Sequence, residues 1–239
     1  MVHPRTRSVL APWLVTLALI GCDEPKPPTP ASPPASASVA ATGALPATPA
    51  ASATLVVPPP APAATYDVDV SHSRLTFSVR HMMVSNTRGQ FGKFAGTAYV
   101  DEANPGASTV HLEIETASID SSDPKRDEHL RSADFFDVKH FPKMTFRSTQ
   151  VERAGAGWKV TGELTIRAIT RSVVLDVDAI SPPVKDPWGG VRRGTRARAK
   201  LDRKAFGLVW NKALEAGGVA VGDEVTLDLE VELLEKKAP

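Results

Sequence analysis

Residues 225–233 read VTLDLEVEL. Val225, Leu227, Leu229, Val231 and Leu233 take alternate positions, with Thr226, Asp228, Glu230 and Glu232 between them. Such a period of two gives a strand with one apolar and one wet face. The pattern recurs upstream. Leu75, Phe77 and Val79 alternate with Arg74, Thr76, Ser78 and Arg80; Phe94, Gly96, Ala98 and Val100 with Lys93, Thr97 and Tyr99. Val110, Leu112 and Ile114 oppose His111, Glu113 and Glu115, and Met144 and Phe146 oppose Thr145 and Arg147. Val160, Leu164 and Ile166, then Val173, Leu175, Val177 and Ala179, then Ala197, Ala199 and Leu201 complete about eight strands.

Turn clusters separate them: Asn104-Pro105-Gly106, Ala154-Gly155-Ala156-Gly157 and Asp186-Pro187-Trp188-Gly189-Gly190. Parallel strands buried on both faces read as continuous apolar runs, and these do not. The expectation is all-β, an antiparallel sandwich or closed barrel. An eight-stranded barrel is wide enough to hold one small ligand. Small residues on inward faces (Gly96 and Ala98, Ala197 and Ala199) either leave room for one or let strands pack closely.

One stretch breaks the pattern. Asp123-Pro124 is a helix start, an N-cap followed by Pro at the first helical position. The short helix runs through Arg126–Arg131 and ends near Ser132-Ala133-Asp134. The segment RDEHLRSADFFDVKHFP, residues 126–142, is rich in charge yet carries Phe135, Phe136 and Phe141.

The N-terminal region has a different composition. Arg5 and Arg7 precede a short apolar run, Val9–Ile20, and then Gly21-Cys22. The run is too short to span a bilayer of about 30 Å and reads as a secretory signal over residues 1–21. Leu19-Ile20-Gly21-Cys22 resembles a bacterial lipobox, which makes Cys22 the expected lipidation site. Cys22 is the single Cys, so it has no disulfide partner within the chain. Residues 22–64 are dominated by Pro, Ala, Ser and Thr. They bury too little to offset ordering entropy and are expected as a disordered tether with a reach on the order of 100 Å.

The remaining residues, 65–239, suffice for one domain with a core. Three of the 28 basic and two of the 27 acidic residues lie upstream of Thr65, leaving 25 of each. That balance does not favour nucleic acid as a partner.

Several stretches carry a family resemblance. They are His72-Ser73 with Leu75 to Met82 and Gly89-Gln90-Phe91; Arg126-Asp127 with His129 to Asp137 and Pro142; Gly162 to Ile166 with Thr170; Asp186 to Gly189; and Arg203 with Phe206-Gly207. In this order they resemble the YceI-like family over about Tyr66–Leu233. Ala168 departs from the family's usual Gly after that Leu-Thr-Ile strand. The resemblance implies an eight-stranded antiparallel lipocalin-like barrel with one short helical insertion. It implies further that an isoprenoid lipid, of polyprenyl phosphate or quinone type, is held inside. No other cofactor is expected. The expected partners are an isoprenoid or other lipid and, through acylated Cys22, the membrane; a homodimer stays open. The expected place is the bacterial cell envelope, on the periplasmic face of a membrane.

The expected ligand-binding residues are Phe77, His81, Phe91, Phe94, Arg126, His129, Arg131, Phe135, Phe136, Phe141 and Phe146. An isoprenoid tail offers surface to bury, roughly 25 cal/mol per Å², so it needs oily walls. The plainer reading is that these Phe close the core. Arg126, Arg131 and His129 can donate to a phosphate or quinone oxygen. Alternatively Asp127, Asp134 and Asp137 pair with them and fix the helix. His81 continues the inward parity of its strand and could equally be a hydrogen-bonded core residue.

Other chemistries find less support. His72, His81, His129 and His140 show no tight ligand spacing, so no metal site is expected. Gly-x-Ser-x-Gly is absent, and Ser73 and His72 point to opposite strand faces. No catalytic residue is therefore expected. An envelope hydrolase or redox enzyme using His81, His129 and Asp127 is the alternative. A stress-related interaction module with a filled barrel is a third reading.

Overall fold

A computed structural model describes residues 60–215 and 217–237. The expected signal segment, Cys22 and all but the last few tether residues lie outside these.

Twelve strands form one sheet: β1 (Ala64–Val68), β2 (Arg74–His81), β3 (Ser85–Phe91), β4 (Phe94–Val100), β5 (Thr109–Glu115), β6 (Ile119–Asp120), β7 (Lys143–Ala154), β8 (Gly157–Ile166), β9 (Ile169–Val177), β10 (Val184–Lys185), β11 (Val191–Asp202) and β12 (Val221–Glu235). Every pairing is antiparallel. Eight strands close a ring in the order β1-β12-β11-β9-β8-β7-β5-β4 and back to β1. This is the eight-stranded antiparallel barrel that the alternation and the resemblance implied. Its membership differs in one place. β2 pairs with the first part of β12, leads out to β3 and β6, and lies beside the ring; the short β1 takes the remaining place on β12.

The long ladder runs between β11 and β12, from Arg192↔Leu234 to Asp202↔Glu224. It fixes two ends. At one, here the base, lie the start of β1 (Tyr66↔Glu235), the β10–β11 turn and the β7–β8 turn. At the other, here the mouth, lie the β2–β3 turn (His81↔Val221) and the connection from Asp202 to Val221.

Apolar residues of the alternating strands point inward. Leu75, Met144, Phe146, Val160, Leu164, Ile166 and Val173 form the main core cluster, and Tyr66, Ala98, Val100 and Leu233 form a second at the base. On β9 the alternation ends at Val177, and Ile180 packs on the core where parity alone puts Ala179 inside. Gly96 belongs to close packing: a Cβ there would lie 2.9 Å from the His111 carbonyl oxygen.

The helix α1 (Pro124–Arg131) starts as its sequence dictates. Asp123 accepts hydrogen bonds from the backbone N–H of Lys125 and Arg126. Asp127 is buried and accepts from Ser121 N–H at 2.8 Å and from the Ser121 hydroxyl. Arg131 donates to the carbonyls of Ala117 and Ile119. These bonds fasten α1 to β6 and hence to β3.

Candidate functional site: an apolar cavity with a basic mouth

The inward faces do not meet across the barrel. They leave a cavity of about 570 Å³, within the roughly 300–1,000 Å³ usual for small-molecule sites. Strands β2, β5, β7, β8, β9, β11 and β12 supply aliphatic and aromatic walls. Two Phe rings lie against the wall because glycine sits beneath them. A Cβ on Gly89 would come within 2.5 Å of Phe77 Cζ, and one on Gly162 within 2.4 Å of Phe146 Cζ.

The structure distributes the expected site residues unevenly. Phe77, His81, Phe91, Phe135, Phe136 and Phe146 line the cavity, as do Arg126 and His129. Phe91 joins two elements, its ring centroid 5.8 Å from Phe77 and 5.7 Å from Phe136. Phe94, Arg131 and Phe141 lie elsewhere. Phe94 is packed in the core. The Phe141 carbonyl accepts from Thr116 Oγ1, and its ring lies 5.8 Å from the Arg167 guanidinium. Arg131 is engaged by backbone carbonyls, as described.

Trp210 does not stand out in the sequence. It belongs to the irregular Asp202–Val221 connection, where no periodicity points inward. It lines the cavity with its ring 4.7 Å from His129 and 5.4 Å from Phe135. His129 thus sits edge-on between two aromatics, with Nε2 2.9 Å from Asp134 Oδ2. His140 pairs with Asp137. So Asp134 and Asp137 take up histidines, while Asp127 takes up Ser121. Asp127, His81 and His129 do not form a hydrogen-bonded relay among the described residues.

Charge around the cavity has one sign. Its charged lining residues are Arg80, Lys125, Arg126 and Arg203, and His81, His111 and His129 line it too. Among the described residues no Asp or Glu lines it. Arg203 is buried, and burial pushes its pKa down, against the pull of Asp223. It donates to the carbonyls of Gly222, Leu208, Trp210 and Val221. Those bonds fasten the connection to β12. Arg126 donates Nε–H to Ser121 Oγ at 2.8 Å and Nη2–H to the Ser121 carbonyl at 2.7 Å.

Asp69, His72 and Glu232 converge at the base with metal-like spacing. A cation is already there: Arg192 Nη1 lies 2.5 Å from Asp69 and 2.6 Å from Glu232. The bond from Arg192, more than any other contact, holds the Asp69 carboxyl well below its usual range.

An antiparallel barrel with an oily interior, a basic mouth and a helix against it defines the class: a lipocalin-like barrel. Residues 66–233 match the model of the YceI-like domain. The chain belongs to the YceI-like family. It is 39% identical over 150 residues to Protein YceI of Escherichia coli O157:H7, covering 62% of this chain and 78% of that one. It is 37% identical over 158 residues to a UPF0312 protein of Photorhabdus laumondii, covering 65% and 82%. Among solved structures, Burkholderia cenocepacia BcnA superposes with a TM-score of 0.61 at 25% identity, covering 69% of this chain and 98% of that one. A polyisoprenoid binding domain from Saccharophagus degradans shares the fold, with a TM-score of 0.51 at 14% identity over 72% and 98%.

Proposed function

We propose that the barrel holds an amphipathic isoprenoid or similar lipid, its tail in the cavity and its head at the mouth. One observation carries this: an apolar cavity of about 570 Å³ whose charged lining, among the described residues, is all basic. Burial of a tail is worth about 0.8 kcal/mol per methylene and demands no particular chemistry from the walls. Arg80 and Lys125, which form no ion pair among the described residues, suit an anionic head, so a polyprenyl phosphate fits better than a quinone. The same fold serves as a polyisoprenoid binding domain in Saccharophagus degradans, which supports the reading. The function proposed is that of a carrier or buffer of lipid and not of an enzyme.

The place of action proposed is the bacterial cell envelope. Its support is the lipobox-like Leu19-Ile20-Gly21-Cys22 and the Pro/Ala-rich residues behind it. A protein acylated at Cys22 would work at the periplasmic face of a membrane.

The test is native mass spectrometry of the protein purified from its own envelope, followed by organic extraction. A retained mass that extracts as an isoprenoid establishes the carrier. A clean apo mass, with no uptake of added polyprenyl phosphate or ubiquinone, overturns it.

A further inference from the structure

The β2–β3 turn breaks a local rule at the mouth. Val84 N–H donates to the His81 carbonyl at 3.0 Å, closing the turn around Met82 and Met83. Both have positive φ, 47° and 61°. Turns with two left-handed central residues favour Asn-Gly, because a side chain there crowds its own backbone. Here two large apolar side chains occupy those positions and remain bare, Met82 45% and Met83 52% exposed, and Val84 after them is 77% exposed. Val209, on the neighbouring connection, is exposed too. Met82 N–H donates to the Ala220 carbonyl, so the turn is fixed to that connection.

Charge accompanies the apolar tip. From Arg74 to Phe91 the chain has no Asp or Glu, and of its three arginines Arg80 lies beside the tip, while Arg74 stands at the far end of β2 opposite Glu230. Arg80 donates to the Met83 carbonyl at 2.9 Å, which keeps a guanidinium at the tip. Nearby acids are engaged: Asp223 by Arg203 and Lys204, Asp134 by His129. Lys212 and Glu215 offset each other on the connection. Arg80 and His81 also line the cavity, so the tip and the opening are one surface.

We propose that the mouth docks on a bilayer bearing anionic head groups, with Met82, Met83 and Val84 dipping into its interface. Flexible thioether side chains suit an irregular apolar surface, and the flanking cations suit phosphate. Docked in this way, a lipid tail passes between bilayer and barrel without crossing water. That consequence rests on the proposed lipid site; the docking itself does not.

The experiment uses the full chain with Cys22→Ser, which removes the single Cys. One new Cys is placed at Val84 or, at the base, at Ala156, and carries an environment-sensitive fluorophore. Vesicles of phosphatidylglycerol and phosphatidylethanolamine contain a spin-labelled quencher lipid. Quenching at position 84 and not at 156, lost in phosphatidylcholine vesicles, is expected. The Met82→Asn/Met83→Gly variant keeps a favourable turn and should need on the order of tenfold more lipid for the same quenching. Quenching at neither position, equal quenching at both, or indifference to that variant overturns the proposal. So does shielding of position 84 that appears only when envelope proteins are added, which makes the tip a protein interface. Extraction of bound lipid from the same preparation scores the cavity separately from the docking.

Discussion

Arg192 at the base and Arg203 at the mouth each gather a loop onto β12, but with different partners. Arg192 is ringed by three carboxylates, Asp69, Asp186 and Glu232. Arg203 takes mostly backbone carbonyls, and of its two nearest acids only Asp223 forms an ion pair. Carbonyls satisfy donors without cancelling charge. The Arg192 cluster therefore keeps surplus negative charge and braces the base tightly, while the cavity lining at the mouth keeps positive charge beside bare apolar side chains. One fold has divided structural duty from contact duty between its two ends.

The largest expected effect breaks the base. Arg193 is 3% exposed and joins Ser181 to Glu102. Arg193→Ala leaves Glu102 with only its 3.7 Å contact to Arg153 and takes the donor from the part-buried Ser181 carbonyl, and should cost about 3 kcal/mol, read by urea unfolding. At the cavity between the ends, Ala197→Phe fills space and should lower lipid uptake about tenfold, with folding retained, since Ala197 faces the lumen. At the mouth the sign reverses. Met82→Asn/Met83→Gly relieves two left-handed side chains and should raise stability by about 1–2 kcal/mol in a thermal melt. A loss of stability would make the methionines structural. The smallest effect is acid sensitivity. Asp69 and Asp186 are both held below their usual pKa of 3.8, chiefly by hydrogen bonds from Arg192. Their contribution is complete at neutral pH and drains away as pH falls below 3.8. Asp69→Asn should flatten that acid limb while leaving the mouth's lipid contacts unchanged.

What the sequence revealed follows the same division. β2, β4, β5, β7, β8, β9, β11 and β12 announce themselves because each buries one face and wets the other. β3 does not: SNTRGQF borders the mouth, has little to bury until Phe91, and so shows no alternation. β1 is five residues long, too short for a period to stand out. Parity placed Phe77, Phe146 and His81 on the lumen. Phe94 shares that inward parity but is packed in the core, away from the cavity lining. Phe141 and Trp210 lie in irregular segments, where spacing carries no direction. At the turn after β8, where Ala168 stands in place of the family's glycine, Arg167 adopts the positive φ of 51°.

The strand that decided the fold is also the last one made. β12, 15 residues long, is held by β11 along one edge and by β2 and then β1 along the other. Until it emerges, the first and eleventh strands have nothing between them, and the sheet is an open ribbon with bare edges. Closure must then join residues almost the full domain apart in sequence, the slowest kind of contact to form. A chain cut short before Val221 is accordingly expected to be no weakened barrel but a sticky, unclosed sheet. The order of synthesis keeps the domain unlocked until its final strand arrives.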